Sequence, residues 1–246
     1  QKQKPSLAVL TSHGTSEAIK IADFMRSLEP YYQLVSFDLK ALEKDQEKTF
    51  QNLKRFELLL ISNPTESFSD TEKYLLDQYL IQGGKQWWAI NAVAVNRDSL
   101  FNSDGSAVAV GRSLNMENAF FKYGFRLQKN LIKDLYCAPV VLASGTDRQA
   151  QYLPYPWPYY PLVKPKQEDL FGSIAGNVFV PFPSSIDTIK NQLDKYILIE
   201  SSDFSQTLKT PTGISLNEAS EKLNPILFDQ KSQNLGVLLE GEFTSA

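Results

Sequence analysis

The segment from residue 151 to residue 162, with the sequence QYLPYPWPYYPL, limits the possible folds more than any other part of this chain. It contains four prolines, and each proline fixes φ and removes a backbone hydrogen-bond donor. A helix or a central β-strand does not tolerate prolines at this density. The segment is therefore predicted to be an extended, semi-rigid connector.

This connector is also aromatic, because it carries the rings of Tyr155, Trp157, Tyr159 and Tyr160. Large rings on a stiff backbone either fill an apolar groove of their own molecule or bind a partner. Packing inside the molecule is the commoner fate of large aromatic side chains, so self-docking is the favoured interpretation. If the rings are exposed instead, these four residues form the candidate partner-binding site.

The composition of the 246-residue chain is that of a folded protein, with 42% hydrophobic and 22% charged residues. A net charge of -3 without any block of like charges argues against nucleic acid as a partner. One cysteine and one histidine cannot form an internal disulfide or the usual ligand cluster of a zinc site, so neither a metal nor a cofactor is predicted. The longest apolar runs, such as residues 58–61, have the length of a strand rather than that of a membrane span.

The first ninety residues alternate strand and helix patterns. Apolar runs at 7–10, 34–37, 56–61 and 85–91 predict strands. The clearest helix begins in the segment Ser-Asp-Thr-Glu at 69–72, which has the spacing of a capping box. This βαβαβαβ order is typical of an α/β fold with a mostly parallel sheet flanked by helices.

The pattern after residue 91 is less regular. Residues 115–123 predict a short helix closed by Gly124, and residues 135–142 predict a strand. Further apolar runs lie at 178–180, 196–199 and 237–239. These runs either extend the first sheet or build a smaller β-rich subdomain.

Three parts are predicted from this pattern. Residues 1–150 form an α/β domain, and residues 151–165 form the Pro/aromatic connector. Residues 166–246 form a C-terminal α/β part that packs on the same sheet or completes it.

The strongest candidate for a ligand site is the small polar loop Ser12, His13, Gly14 and Thr15, between the first strand and the first helix. In an open α/β sheet this loop lies at the carboxyl ends of the strands, where ligands generally bind and backbone amides can hold an anion. The loop lacks both glycine-rich phosphate-binding patterns. The alternative interpretation is a helix N-cap by Thr15 or Ser16, with His13 partly exposed.

No residue is assigned a catalytic role. Cys137 and His13 are the only pair able to form a thiolate-imidazole couple, but Cys137 lies in a strand pattern rather than in a nucleophile elbow and is expected to be a small buried residue. Residues 144–147 contain oxygen-rich side chains, as any turn does. Residues 184–189 are interpreted as a capped helix start rather than a polar pocket.

Seven separate stretches occur in order along nearly the whole chain: residues 68–79, 83–85, 122–126, 134–138, 156–162, 184–189 and 238–243. These stretches resemble the gliding-motility-associated ABC transporter auxiliary proteins of the Bacteroidetes, the GldG-type family. Their joint occurrence makes the resemblance specific.

The resemblance implies an extracytoplasmic domain on the periplasmic side of the bacterial inner membrane, anchored by spans that lie outside this sequence. It implies ABC permease and ATPase subunits as partners, in the role of a substrate-binding component of transport linked to gliding motility. The implied fold is a class I glutamine-amidotransferase-like, or trehalose-utilisation-like, Rossmann-like layer that an intraflagellar-transport subunit also contains. A C-terminal extension or smaller β-rich subdomain completes it.

The chain departs from the amidotransferase-like enzymes at the residues that carry chemistry. Those enzymes have a cysteine in a nucleophile elbow with a histidine and a glutamate downstream, whereas the one histidine here, His13, lies near the start. We therefore predict a non-enzymatic domain with a binding or scaffolding role. Two alternatives stay open: a solute-binding receptor for a small molecule or carbohydrate, and a hydrolase that uses the pocket around Ser12 and His13.

Overall fold

The computed structural model of the protein describes residues 4–40, 45–102, 104–144, 151–165 and 176–246. Within these ranges the chain forms one parallel sheet, followed by several antiparallel sheets. The buried apolar side chains of these residues form two separate hydrophobic cores.

The strands of the parallel sheet are β1 (Ser6–Leu10), β2 (Gln33–Phe37), β3 (Leu58–Ser62) and β4 (Lys85–Ala89). Their order in the sheet is β2-β1-β3-β4. The two inner strands, β1 and β3, are buried along most of their length. This explains their continuous apolar sequences, because a parallel strand is covered on both faces.

The helices that connect these strands are α1 (Ala22–Leu28), α2 (Gln46–Leu53) and α3 (Asp70–Ile81). The capping box predicted for α3 is confirmed: Ser69 Oγ accepts the N–H of Glu72 at 3.3 Å, and the Glu72 carboxylate accepts the N–H of Ser69 at 2.7 Å. The helix ends just before Gly83, whose φ of +93° supplies the left-handed stop. Its buried residues Leu76 and Tyr79 pack into the first core.

The rest of the described chain consists mainly of antiparallel strands. The elements are β5 (Val93–Val95), α4 (Arg97–Asn102), β6 (Ser106–Gly111), α5 (Glu117–Tyr123), β7 (Phe125–Leu127), β8 (Asn130–Asp134), β9 (Cys137–Ser144), β10 (Gln151–Pro165), β11 (Val178–Phe179), β12 (Ile186–Thr188), β13 (Asp194–Glu200), β14 (Ser205–Lys209), β15 (Thr212–Ser215) and β16 (Asn234–Glu240). The strands pair as β5-β6-β15, β7-β12, β8-β14 and β11-β10-β13-β16, with β9 also paired to β10.

The prediction of a mostly parallel, Rossmann-like and amidotransferase-like layer is wrong. Parallel pairing stops at β4, and each later pair of named strands is antiparallel and lies outside the first sheet. The physical reason is connection length: parallel neighbours need a crossover of a dozen or more residues, whereas later paired neighbours such as β5 and β6 are joined by a shorter connection that suits antiparallel pairing.

The Pro/aromatic segment is also not a mere connector, because it forms the long strand β10. The strand changes partners along its length: residues 151–156 and Pro161 pair with β9, residues 162–163 with β11 and residues 164–165 with β13. The register with β9 shifts between Pro156 and Pro161. Over residues 151–156 the recorded pairing is with β9 on one side, which is the condition under which a strand tolerates proline.

The two cores differ in position and in composition. The first lies between the parallel sheet and the helices α2, α3 and α5, and it is mainly aliphatic, with buried phenylalanine and tyrosine rings among the aliphatic side chains. The second is built around Trp157, Tyr159, Tyr160 and Phe182. Its buried residues come from positions 93 to 219. The predicted division of the chain at residues 150 and 165 stays a prediction.

Candidate functional site

The loop that carries Ser12 and His13 lies where the fold would place a ligand. It follows β1, and its neighbour in space is the loop that follows β3, because these two strands are adjacent in the sheet. The chain leaves β1 toward β2 on one side and leaves β3 toward β4 on the other. Such a switch in direction opens a crevice at the carboxyl ends of the strands.

This crevice is filled by the protein's own chain. The N–H groups of Thr65 and Glu66 donate to the carbonyl oxygen of His13 at 2.9 and 3.1 Å. The Thr65 hydroxyl donates to the carbonyl oxygen of Gly14 at 3.0 Å. Gly14 has a φ of +59°, and a Cβ atom there would lie 2.0 Å from Thr65 Oγ1. Only glycine therefore lets the two loops meet this closely.

The imidazole of His13 is buried beneath the second loop, with 1% of its surface exposed. Its ring stacks on Phe68 at a centroid distance of 4.1 Å. Its Nδ1 lies 3.0 Å from Ser12 Oγ, and its Nε2 lies 3.1 Å from Glu72 Oε1. The expectation of a partly exposed His13 is wrong, because Phe68 covers the ring.

Serine, histidine and glutamate are thus in sequential contact, as in a catalytic triad. Ser12 Oγ accepts the N–H of Leu39 at 3.1 Å. The hydroxyl proton of Ser12 can therefore point to His13 Nδ1. In that arrangement the neutral imidazole carries its proton on Nε2, toward Glu72. The Nε2 and Oε1 atoms are close without the alignment of a hydrogen bond, so this contact is electrostatic. The buried ring offers no access to a substrate.

Glu72 is held mainly by its own helix. Its Oε2 accepts both the N–H and the hydroxyl of Ser69, each at 2.7 Å. Burial raises the pKa of the Glu72 carboxyl, but the bonds from Ser69 and the nearby His13 outweigh burial and hold this pKa below its ordinary value. Glu72 is therefore ionised at neutral pH and links the start of α3 to the loop after β1.

Thr15 and Ser16 do not cap a helix, which corrects the alternative interpretation of this loop. The Thr15 hydroxyl donates to the carbonyl oxygen of Leu10 at 2.9 Å. Ser16 donates its N–H to the carbonyl oxygen of Ser62 at 2.8 Å. Both residues instead fasten the loop to the ends of β1 and β3.

The predicted partner-binding rings are mostly inside the molecule. Trp157, Tyr159 and Tyr160 are buried, and Tyr155 packs half-buried against the second core. The Trp157 ring contacts those of Tyr160 and Phe182 at centroid distances of 4.7 and 5.6 Å. Partner binding through these rings requires an exposed Trp157 or Tyr159, and neither ring is exposed. Both rings pack inside their own molecule, as the self-docking interpretation expects.

Cys137 lies on β9, away from the contacts of His13. Burial and the neighbouring Asp134 raise the pKa of its thiol to about 11, so it is protonated at neutral pH and is a poor nucleophile. Among the described residues, no group of three or more histidine, cysteine, aspartate or glutamate side chains could hold a metal ion.

Two further predicted segments differ from expectation or fall outside the structure. Residues 186–188 form the strand β12 rather than a helix, and the hydroxyl of Ser184 donates to the carbonyl oxygen of Asn130 at 2.7 Å. Ser144 ends β9, while Gly145, Thr146 and Asp147 lie outside the described residues.

Sequence reasoning missed a cleft of about 420 Å³ beside the first core, which we call the Arg112 cleft. No motif marks it, because its lining comes from several elements between residues 90 and 129. The Arg112 guanidinium donates from Nη1 to Asn63 Oδ1 at 3.1 Å and to the Pro64 carbonyl oxygen at 3.2 Å. Arg112 thereby joins the cleft to the loop that closes the crevice.

The fold resembles a solved structure titled "mmIFT52 N-terminal domain". The two share 12% sequence identity with a TM-score of 0.53, over 92% of this chain and 84% of that chain. At this identity the likeness concerns the fold alone. No curated protein matches the chain.

Among the described residues, no helix has the length and apolar character needed to cross a bilayer. The model of a family described as "ABC-type uncharacterized transport system" matches residues 4–246. Auxiliary proteins of this kind work with the other components of the transporter in association with a membrane. Since the match extends over nearly the whole sequence, the chain belongs to this family of ABC transporter auxiliary proteins.

Proposed function

We propose that this chain is a non-enzymatic, extracytoplasmic domain with a binding or scaffolding role in a complex with an ABC permease and its ATPase, in transport linked to gliding motility. In this proposal the domain acts on the periplasmic side of the inner membrane. Its family membership supports a role beside transporter components. The resemblance to GldG-type proteins supports the finer assignment.

One observation carries the non-enzymatic part of the proposal. The crevice at the carboxyl ends of β1 and β3 is occupied by Thr65 and Glu66, whose N–H groups bind the His13 carbonyl oxygen. Phe68 covers the imidazole that a hydrolase would use as its base. A site filled in this way stabilises the fold but cannot admit a substrate.

The distance of 3.0 Å between Ser12 Oγ and His13 Nδ1 is the one feature that favours a hydrolase instead. This alternative requires Phe68 to move away from the imidazole. It predicts turnover of an activated ester that is lost in both Ser12→Ala and His13→Ala but retained in Ser16→Ala, a serine of the same loop. Turnover with this pattern would overturn the non-enzymatic assignment.

Co-purification tests the transporter role. The full-length protein is isolated from bacterial membranes in mild detergent, and its neighbours are identified by chemical cross-linking and mass spectrometry. We expect the permease and the ATPase to co-purify, with cross-links that join this domain to extracytoplasmic loops of the permease. A preparation that contains neither subunit would refute the proposal.

A further inference from the structure

The Arg112 cleft concentrates positive charge in a protein whose net charge is -3. Its lining includes the cations Arg112, Arg126 and Lys129 but only one carboxylate, that of Glu117. Several cations along one concave surface attract anions and raise their local concentration. The cleft therefore differs from the rest of the molecule in the sign of its charge.

These cations are not all neutralised by their neighbours. Lys129 Nζ lies 3.0 Å from Glu117 Oε1, and the Ser113 hydroxyl donates to the same oxygen at 2.8 Å. Arg112 is half-buried, and within the described ranges its guanidinium donates to the neutral oxygens of Asn63 and Pro64. Arg126 forms no ion pair with a carboxylate among the described residues, although Asp187 lies opposite it in the β7–β12 pairing and accepts a hydrogen bond from Gln128.

The guanidinium of Arg126 lies 5.3 Å from the centre of the Phe121 ring. This cation–π contact orients the group without cancelling its charge. Two guanidinium groups, those of Arg112 and Arg126, thus remain available to an anion, and a guanidinium can hold a carboxylate or sulfonate through two parallel hydrogen bonds.

The inner surface of the cleft is apolar. Leu114, Met116 and Phe120 belong to the first core and also line the cleft. Phe121 is 47% exposed, so its ring is available to contact a ligand. A volume of about 420 Å³ lies within the range of small-molecule sites, which combine apolar walls with a few polar groups.

We propose that the Arg112 cleft binds a small organic anion: a carboxylate or sulfonate on an apolar body. The guanidinium groups of Arg112 and Arg126 hold the acidic group beside the Lys129–Glu117 pair, and the apolar body rests on the exposed ring of Phe121. This proposal goes beyond the transporter role and does not depend on it. The domain can dock with the permease without binding a small anion, and it can bind a small anion without docking with the permease.

A pair of fluorescent probes tests the proposal on the whole chain. The first probe, 8-anilinonaphthalene-1-sulfonate, is an organic anion. The second, N-phenyl-1-naphthylamine, has the same ring skeleton without the sulfonate. We expect the anionic probe to bind at least about tenfold more tightly, because charge-assisted hydrogen bonds contribute at least this factor.

The double variant Arg126→Gln and Lys129→Gln removes two cations from the cleft. Its affinity for the anionic probe should fall about tenfold, while its affinity for the neutral probe changes little. The matched control is Lys54→Gln with Arg55→Gln, which removes two cations from the connection between α2 and β3, outside the lining of the cleft. This control should bind both probes as the unmodified protein does.

Phe121→Ala tests the apolar part of the site and should weaken both probes several-fold. Binding of the two probes with equal affinity would overturn the proposal, as would equal losses in the cleft variant and its control. If the double variant has a lowered melting temperature, the affinity of Arg126→Gln alone for the anionic probe is compared with that of its control, Arg55→Gln. In a separate titration, the affinity of the unmodified protein for the anionic probe should fall as the salt concentration rises. An affinity that does not depend on salt would refute the proposed site.

Discussion

A capping box occurs beside each of the two cores, and the comparison shows what a local motif determines. In the first half, Ser69 and Glu72 cap the twelve-residue helix α3. In the second half, Ser215 and Glu218 have the same spacing and the same reciprocal bonds, yet they cap only a 3₁₀ turn of four residues. The motif starts a helical turn in both places, but only the periodic apolar face after Glu72 extends it.

The two glutamates also have different tertiary partners. Glu72 faces the buried ring of His13. Glu218 accepts the hydroxyl proton of Tyr159 at 3.1 Å and an N–H of Lys133 at 2.9 Å. The contact between Glu72 and His13 lies at the closed crevice at the end of the parallel sheet. The hydrogen bond between Tyr159 and Glu218 instead anchors a ring of the aromatic core. The same local motif can therefore fasten either a loop or a core.

The largest effect should come from the aromatic core. Trp157→Ala should lower the free energy of unfolding by about 3–5 kcal/mol, because the side chain is fully buried among other rings. Trp87→Ala is the control, since this ring is 45% exposed, and it should cost less than about 1 kcal/mol. Urea unfolding followed by circular dichroism measures both. Equal losses would show that the second half does not depend on its central ring.

Gly14→Ala should have the next largest effect, about 2–3 kcal/mol. The left-handed backbone costs an alanine about 1–2 kcal/mol, and the added Cβ meets Thr65 Oγ1 as well. Adding Thr65→Ala removes the collision but also the hydrogen bond from the Thr65 hydroxyl to the Gly14 carbonyl oxygen, so the double variant should recover less than about 1 kcal/mol. The same unfolding measurement applies. A Gly14→Ala protein of unchanged stability would mean that the two loops do not pack as closely as the structure indicates.

Glu72→Gln should have a smaller effect of about 1 kcal/mol at pH 7, which is typical for loss of a capping group. Burial raises the pKa of Glu72, but bonds from Ser69 and the contact with His13 hold it below 4.5. As the pH falls, the unfolded chain is protonated first, so the stabilisation is complete above about pH 4.5 and disappears below the folded pKa. The free energies of unfolding of the unmodified protein and of Glu72→Gln should therefore differ less at pH 3 than at pH 7, as measured by urea unfolding at each pH.

The control for this prediction is Glu47→Gln, in the first turn of α2, where the carboxylate is exposed. It should change stability by no more than a few tenths of a kcal/mol at pH 7. A difference for Glu72→Gln that persists at pH 3 would contradict the role of its ionised form.

Local and periodic features were the predictable part of this protein. The α3 capping box, the stop at Gly83 and the helix that ends at Gly124 involve neighbours within a few residues, and the structure confirms each of them. The inward packing of Trp157 followed from its size and apolar character. These properties belong to short segments, so a single sequence reveals them.

The features that sequence reasoning missed depend on contacts between distant segments. Antiparallel pairing of the later strands joins residues far apart, such as Ser205 with Asp134, and no periodicity shows which strands will meet. The closing of the crevice depends on Thr65 reaching Gly14, 51 residues earlier in the chain. The Arg112 cleft likewise combines separate elements. A reading of each segment by itself finds none of these.

The strand β10 has a mechanical consequence. Its prolines donate no hydrogen bonds to the ladders with β9, β11 and β13, so the buried rings of Trp157 and its neighbours are needed to hold the strand in place. Loosening those rings releases three neighbouring strands at once. The β-rich half of the protein should therefore melt as a single cooperative unit rather than fray strand by strand.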